Sequence, residues 1–292
     1  IAKVDLRSFC FFDLVPHDFL LEFCEARNKI TKYVFENYEK PNNYDHLSAA
    51  YKLIHGIKFQ SLNLNNEDCR HLFINSSDRT AVKKLLTKPN TVPILTMKKR
   101  YRKLIKPKND WFLSLDYNGA EIRTLLSMSD QEQPKEDIHE WNMKNVINQS
   151  QIYREEAKTL FFSWLYNPDS KAINTKFYDR SLVLDKWYDG EHVTTPFHRK
   201  IKVDRRRAFN YIIQSTTSDI VIDRAIEIEK YLLDKKSFIS HIVHDEIVID
   251  LDSSEREMVP EIKDMFENTK LGNFMCNLNA GKDYFDLQGL KL

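Results

Sequence analysis

The sequence predicts an α+β fold with an antiparallel sheet, on three observations. Ile239 to Leu251 (ISHIVHDEIVIDL) holds two strand-like runs, Ile239–Val243 and Ile247–Leu251, separated only by His244-Asp245-Glu246, the spacing of a tight hairpin. Trp111 to Leu115 (WFLSL) is a short apolar run leading into Asp116, which suits a buried strand with a carboxylate at its end. Tyr153 to Asn167 and Asp204 to Lys235 are helical patterns that no Pro or Gly interrupts. With 292 residues and 42% apolar content, the chain can bury a sizeable core, as one large domain or two to three small ones.

From the N-terminus, residues 1 to 65 combine a strand-like run (Phe9 to Leu14) with helical patterns around Phe19 to Glu39 and His46 to His55. Pro41-Asn42-Asn43 is a turn between the two helices. No chemistry is visible there, and a helical arm or support is the reading. Arg79 to Leu86 is helix-like, and Lys98 to Lys108 (KKRYRKLIKPK) is a basic cluster; Arg205-Arg206-Arg207 is another. On a chain of net charge +1 such clusters fit a basic surface opposite an acidic one, though a solvated Lys-rich loop explains the first equally well. Glu121 to Met128 reads as helix, and Ser129 to Gln149 is a polar stretch containing Asp137-Ile138-His139.

Beyond Asn167, aromatic-rich segments to Trp187 read as irregular. Tyr188-Asp189-Gly190 is a turn, and His192 to Val203 has β-branched residues around a Pro turn, as a hairpin would. The helix after it has a core stripe of Ile220, Val221, Ala225, Ile228 and Leu232. Glu255 to Asn268 is helical, and Asn279-Ala280-Gly281 reads as a turn in the tail. Four scattered cysteines (Cys10, Cys24, Cys69, Cys276) without CxxC spacing favour reduced thiols and a cytoplasmic setting. No apolar run is long enough to span a membrane and no signal-peptide profile is present, and a start at Ile1 suggests a piece of something longer.

The helix Tyr153 to Asn167 (YREEAKTLFFSWLYN) puts Ala157, Leu160, Phe161 and Trp164 on one side as a core face. Beside it runs a second ridge, Arg154, Lys158, Phe162 and Tyr166, roughly 18 Å long at four-residue steps. Two cations at one end and two rings at the other match a ligand that is polyanionic at one end and flat at the other, as a nucleoside triphosphate is. An ordinary amphipathic helix with a charged edge gives the same pattern. Asp116 and Asp245 stand at ends of apolar strands, where a carboxylate is expensive unless something pairs with it. Brought together they would repel, and a divalent cation would relieve that. Mg²⁺ suits such a site because it takes few protein carboxylates and completes its shell with water and substrate phosphates. A pair of Mg²⁺ ions can activate an attacking hydroxyl and stabilise a leaving pyrophosphate. Nothing in composition or periodicity requires the two aspartates to meet.

Four motifs then occur in one order. LDYNGAEIRTL around Asp116 resembles the first polymerase motif of family A DNA polymerases, the group of bacterial repair polymerases and many phage replicases. YREEAKTLFFSWLY resembles that family's fingers helix, with Arg, Lys, Phe and Tyr at four-residue steps. RRRAFNYIIQSTTSDI resembles its primer-template helix and IVHDEIVID its third motif, while HVTTPFHRKI resembles the hairpin before the primer-template helix. The resemblance covers residues 98 to 292.

The resemblance implies a right-hand polymerase: an antiparallel palm sheet, helical fingers and a reduced helical thumb. In residues these would be the palm (66–132 and 201–292), the fingers (133–200) and a thumb remnant (1–65). It implies primer-template DNA and deoxynucleoside triphosphates as partners, two Mg²⁺ ions, no membrane, a monomer, and a bacterial or phage-infected host cytoplasm. It makes Asp116 and Asp245 the metal ligands and Glu246 a helper. Arg154, Lys158 and His139 would meet the triphosphate, Lys158 also as proton donor to pyrophosphate. Phe162 would pack on the incoming nucleotide and Tyr166 near the insertion site, with Glu121 the steric gate against a ribose 2′-hydroxyl and Arg123 a supporting ion-pair partner. Arg207, Asn210 and Gln214, at i, i+3 and i+7, would reach the minor groove, whose acceptors look nearly alike in every base pair; His244 would also contact DNA.

The sequence departs from the family pattern in three places. Ser163 and Asn167 replace glycines of the fingers helix. Asn118-Gly119-Ala120 replaces Ser-Gln-Ile before the gate, which predicts a more flexible turn. Residues 1 to 97 match little. No second acidic constellation for proofreading is visible. A single-subunit RNA polymerase and a catalytically weak DNA-binding remnant are the competing readings.

Overall fold

The computed structural model describes residues 16–59, 63–64, 94–147, 153–167, 169–170, 173 and 175–291. The strand expected at Phe9 to Leu14 and the helix expected at Arg79 to Leu86 lie outside them. Two compact units are present, residues 1–44 and 45–292. In the first, helix α1 (Leu20–Asn37) occupies the expected position but buries none of its residues. The chain then turns so that the rings of Phe35 and Tyr44 meet edge-on at 4.4 Å.

The second unit is mixed helix and sheet. In chain order it contains α2 (Tyr44–Phe59, all but its first residue), β1 (Trp111–Tyr117), α3 (Ala120–Met128), α4 (Ile138–Asn142), α5 (Arg154–Tyr166) and α6 (Arg180–Trp187). There follow β2 (His192–Thr194), β3 (Lys200–Lys202), α7 (Arg205–Tyr231), β4 (Phe238–Val243), β5 (Glu246–Leu251), α8 (Val259–Glu267), β6 (Cys276–Gly281) and β7 (Gln288–Gly289). Five strands form an antiparallel sheet in the order β7-β6-β1-β5-β4, with β1 at the centre.

Period-2 alternation divides the sheet between two environments. Leu113, Leu115, Ile247, Ile249 and Leu278 face a core shared with Ile220, Val221, Ala225 and Ile228 of α7 and Ile262 and Phe266 of α8. Phe112 and Val248 point the other way, onto Tyr101, Leu104, Ile105 and Tyr284. Ser114, Asp116 and Glu246 belong to that second face by the same alternation. A separate helical core joins α3, α5 and the N-terminal half of α7 through Ile122, Leu126, Phe161, Trp164, Phe209 and Ile213. The 27 residues of α7, about 40 Å of helix, therefore run from the helical core onto the sheet.

The hairpin is tighter than expected. His244 and Asp245 alone form the turn, His244 taking a left-handed φ of 57°, and Glu246 already pairs with Val243. Two segments differ from expectation. Arg180 to Trp187 is helix, not irregular: Asp179 accepts from the backbone N–H of Ser181 and Leu182 as a cap, and Val183 anchors the turn in the helical core. The supposed tail turn Asn279-Ala280-Gly281 lies within β6, whose six residues pair with Phe112 to Tyr117. Its turn-forming residues conceal a strand because the open edge of β1 supplies the hydrogen bonds that their own propensities do not favour.

Nor is the β1–α3 turn loose. Gly119 has φ +69°, and a Cβ there would lie 2.5 Å from Cγ2 of Ile138. Glycine supplies the left-handed conformation, and its missing side chain lets α4 pack directly on the turn. Gly119→Ala is therefore expected to destabilise the fold by about 2–3 kcal/mol, through the left-handed penalty and the overlap together. Denaturant unfolding measures it; a loss under about 0.5 kcal/mol would mean that the turn relaxes freely.

Candidate functional site

The sheet register sets the carboxylates. Asp116 stands opposite Glu246 on β5 and Asn277 on β6, and Asp245 occupies the hairpin turn one residue earlier. A cleft of about 750 Å³ opens at these strand ends, with Asp116, His244 and Asp245 on its sheet side. Glu121 of α3, His139 of α4, Arg154, Lys158 and Phe162 of α5, and Gln214 of α7 complete the walls. One cavity thus gathers residues chosen from five separate stretches of sequence.

Like charge and burial dominate the sheet side. Burial, then the neighbouring carboxylates of Asp245 and Glu246, push the Asp116 carboxyl up to about 7, while Asn277 and Lys158 act against them. Burial raises Asp245 as well, again opposed by His244 and Lys158. Glu246 is differently placed. Its Oε1 accepts from the Ser114 hydroxyl at 2.6 Å and its Oε2 from the Tyr284 hydroxyl at 2.7 Å, and it does not line the cleft. Both its oxygens already have donors.

On the helical side, α5 buries Ala157, Phe161 and Trp164 as expected, with Leu165 in the place expected for the partly buried Leu160. That leaves the Arg154, Lys158 and Phe162 ridge on the cleft. The Phe162 and Tyr166 rings are nearly parallel, 12° apart with centroids 6.1 Å apart. The Tyr166 hydroxyl donates to Oε2 of Glu121, so the gate candidate and the end of the ridge are joined. Burial raises the Glu121 carboxyl, and this hydrogen bond opposes the shift. Tyr166 itself borders a second cleft, about 360 Å³, with Asn167, Arg206, Arg207 and Asn210. Arg207 and Asn210 are therefore in a different cleft from Gln214, although one helix carries all three.

Two cations are held by neighbouring groups, and the second differs from expectation. Arg154 is paired: Nη2 donates to Asp137 at 2.7 Å and Nη1 to Glu155 at 2.9 Å. Arg123, expected to form an ion pair, is fully buried and donates to the backbone carbonyls of Asn118 (2.8 Å), Pro134 (3.0 Å) and Glu136 (2.9 Å). Burial lowers its pKa to about 10. Its fork holds a loop in place, and carbonyl oxygens fill the positions a carboxylate would have taken. Burial likewise lowers His139 to about 4, so its imidazole is neutral at pH 7.

Sequence reasoning missed Asn118, Asp137 and Asn277. Asp137 was detectable: it caps α4 by accepting from the N–H of His139 and Glu140, and an Asp before a short helical stretch is a cap signal. The residues Asn118 and Asn277 carry no local signal. Asn277 reaches the cleft only because β6 pairs with β1.

No protein-family model and no curated protein matches the sequence. Among solved structures, the chain is similar to the POL domain of Pol1 from M. smegmatis, solved in complex with DNA primer-template and dNTP. The TM-score is 0.55 at 17% sequence identity, and the match covers 68% of this chain and 45% of that one. The likeness shows a DNA-polymerase-like fold.

The charge cluster predicts a pH dependence. An unfolded Asp titrates near about 3.9, whereas folded Asp116 holds its proton up to about 7. The stability this group contributes is present below its unfolded value and lost as pH rises through 7. In EDTA, Asp116→Asn is expected to melt higher than wild type at pH 8, and the gap is expected to close towards pH 4. A gap independent of pH would exclude carboxylate burial as its cause.

Proposed function

We propose that the chain is a polymerase domain performing template-directed DNA synthesis, in which a primer 3′-hydroxyl attacks the α-phosphate of a deoxynucleoside triphosphate and pyrophosphate leaves. One observation carries this reading: two strand-end aspartates and the Arg154–Lys158–Phe162 ridge face the same cleft. The five-stranded sheet would be the palm, within residues 66–132 and 201–292. Residues 133–200 would be the fingers and 1–65 a reduced thumb.

The residues present fit magnesium. Asp116 and Asp245 are hard oxygen donors whose repulsion a cation would relieve. Among the described residues no group of three or more His, Cys, Asp or Glu side chains could hold a metal by itself. The arrangement suits an ion that takes one or two carboxylates and fills its shell with water and phosphate oxygens. When bound, a pair of such ions supplies activation of the primer hydroxyl and charge stabilisation on the departing pyrophosphate.

The chain's own groups do the remainder. Arg154 and Lys158 would neutralise the triphosphate, and Lys158 would protonate the leaving group. Neutral His139 offers a hydrogen bond, not a charge. Phe162 would pack on the incoming nucleotide, while Glu121, which accepts from the Tyr166 hydroxyl, would occupy the space of a 2′-hydroxyl. Arg207, Asn210, Gln214 and His244 would lie along the duplex.

Primer extension with the purified chain tests the reading, comparing deoxy- and ribonucleotides with and without Mg²⁺. Asp245→Asn is expected to cut extension by more than about a hundredfold and leave duplex affinity within about threefold, because metal-assisted phosphoryl transfer is positioning and electrostatics. Extension within about tenfold of wild type would remove Asp245 as a ligand. Duplex binding by wild type without any extension would favour the DNA-binding remnant.

Glu121→Ala should raise ribonucleotide use relative to deoxynucleotide, since truncation removes the repulsive element in a packed site. The readout is the ratio of kcat/KM for a matched sugar pair. An unchanged ratio removes Glu121 as the gate, and a wild type indifferent to the sugar points to an RNA polymerase.

A further inference from the structure

Asn118 is 4% exposed and sits two residues beyond Asp116, where β1 passes into α3. Its side-chain hydrogen bonds run towards α4, its cap Asp137, and Arg123. Oδ1 accepts from the Ile138 backbone N–H at 2.7 Å and from Nη2 of Arg123 at 3.3 Å. Nδ2 donates to Oδ2 of Asp137 at 2.7 Å. That same oxygen accepts from Nη2 of Arg154, also at 2.7 Å. The other oxygen of Asp137 accepts from the N–H groups of His139 and Glu140 at 2.9 and 3.1 Å.

A continuous polar bridge therefore joins the aspartate-bearing strand to the N-terminal end of the ridge. Against the upward pull of burial, the hydrogen bonds from Arg154 and Asn118 hold the Asp137 carboxyl well below the usual carboxylate range. Asp137 is thus an anion whose two oxygens are both directed. Arg154 gives one N–H to Asp137 and one to Glu155, which leaves three of its five N–H groups for another acceptor. Which way those three point depends on where Asp137 is held.

We propose that Asn118 is a positioning residue of the nucleotide pocket: through Asp137 it aims Arg154 and His139 at the triphosphate and ties their position to the strand that carries Asp116. This rests on the polymerase reading above. Removing the Asn118 amide leaves Oδ2 of Asp137 with Arg154 alone and releases the Ile138 N–H that anchors α4. Asp137 and Arg154 can then move as a pair. Serine is shorter by one carbon centre and has a single oxygen, so it cannot span both contacts. Asp137→Asn keeps an oxygen to cap α4 and removes the charge that holds Arg154.

The test uses the full chain as wild type, Asn118→Ala, Asn118→Ser, Asp137→Asn and the Asn118→Ala/Asp137→Asn double variant. It measures equilibrium binding of a fluorescent deoxynucleoside triphosphate with Mg²⁺, duplex affinity, melting temperature, and KM and kcat for single-nucleotide extension. Each single variant is expected to weaken triphosphate binding and raise KM about tenfold, the scale of one charge-assisted hydrogen bond, with kcat and duplex affinity within about threefold. The double variant should be no worse than the poorer single one, because both act through Arg154. A melting temperature that falls while triphosphate affinity stays at the wild-type value overturns the proposal, as do effects that multiply in the double variant. If Asn118→Ala does not fold, Asn118→Ser decides by the same criteria. A wild type that binds the triphosphate but extends no primer ends the polymerase reading and leaves the Asn118 proposal to the binding data; a wild type that binds none ends both.

Discussion

Three carboxylates meet where the central strand ends, and much of the second unit is arranged around that repulsion. Asp116 lies directly across from Glu246, with Asp245 next to it in the turn. Placing acids at the end of a sheet whose other face is a dry core is unfavourable unless each finds a partner. Glu246 has two, Ser114 on the neighbouring strand and Tyr284 from the segment after β6. Asp116 and Asp245 are left as the groups raised by burial, moderated by Lys158, Asn277 and His244. The division is chemical: both oxygens of Glu246 are satisfied by hydroxyl donors, while Asp116 and Asp245 keep carboxyls that burial raises at the cleft.

The helices supply the opposite sign at the same place. Two cores make this geometry stiff, one on the sheet and one among the helices, and α7 runs through both. Because α5 buries Phe161, Trp164 and Leu165, it cannot rotate without opening the helical core. Its charged ridge is fixed across the cleft from the aspartates. The two cations on the ridge differ in restraint: Arg154 is tied to Asp137, and Lys158 is exposed at the cleft wall.

Elements built on local periodicity were legible. The hairpin, the strand into Asp116, the ridge helix and the long helix all sit within a few residues of the positions expected. The segments misjudged were those whose structure comes from elsewhere in the chain. β6 has Asn, Ala and Gly at its end and pairs because β1 offers an edge. α6 lacks a strong apolar stripe and depends on its Asp179 cap and on Val183. The site was legible to a similar degree: Asp116, Asp245, Glu121, His139, Arg154, Lys158, Phe162, Gln214 and His244 share one cleft. Arg207 and Asn210 do not, since they lie seven and four residues along the helix from Gln214 and border the next cleft with Tyr166.

By itself, the sequence determined which residues share a strand face or a helix ridge, since a period of 2 or 3.6 is a property of the local chain. It also determined that acidic, cationic and aromatic groups were available in separate motifs. Only the tertiary structure decided which of them meet. The pairing of Asp116 with Glu246 and Asn277, the capture of Glu246 by Tyr284, and the bridge from Asn118 through Asp137 to Arg154 join positions 17 to 161 residues apart. Hydrogen-bond register and side-chain contact across that separation depend on how the layers pack, and periodicity does not encode packing.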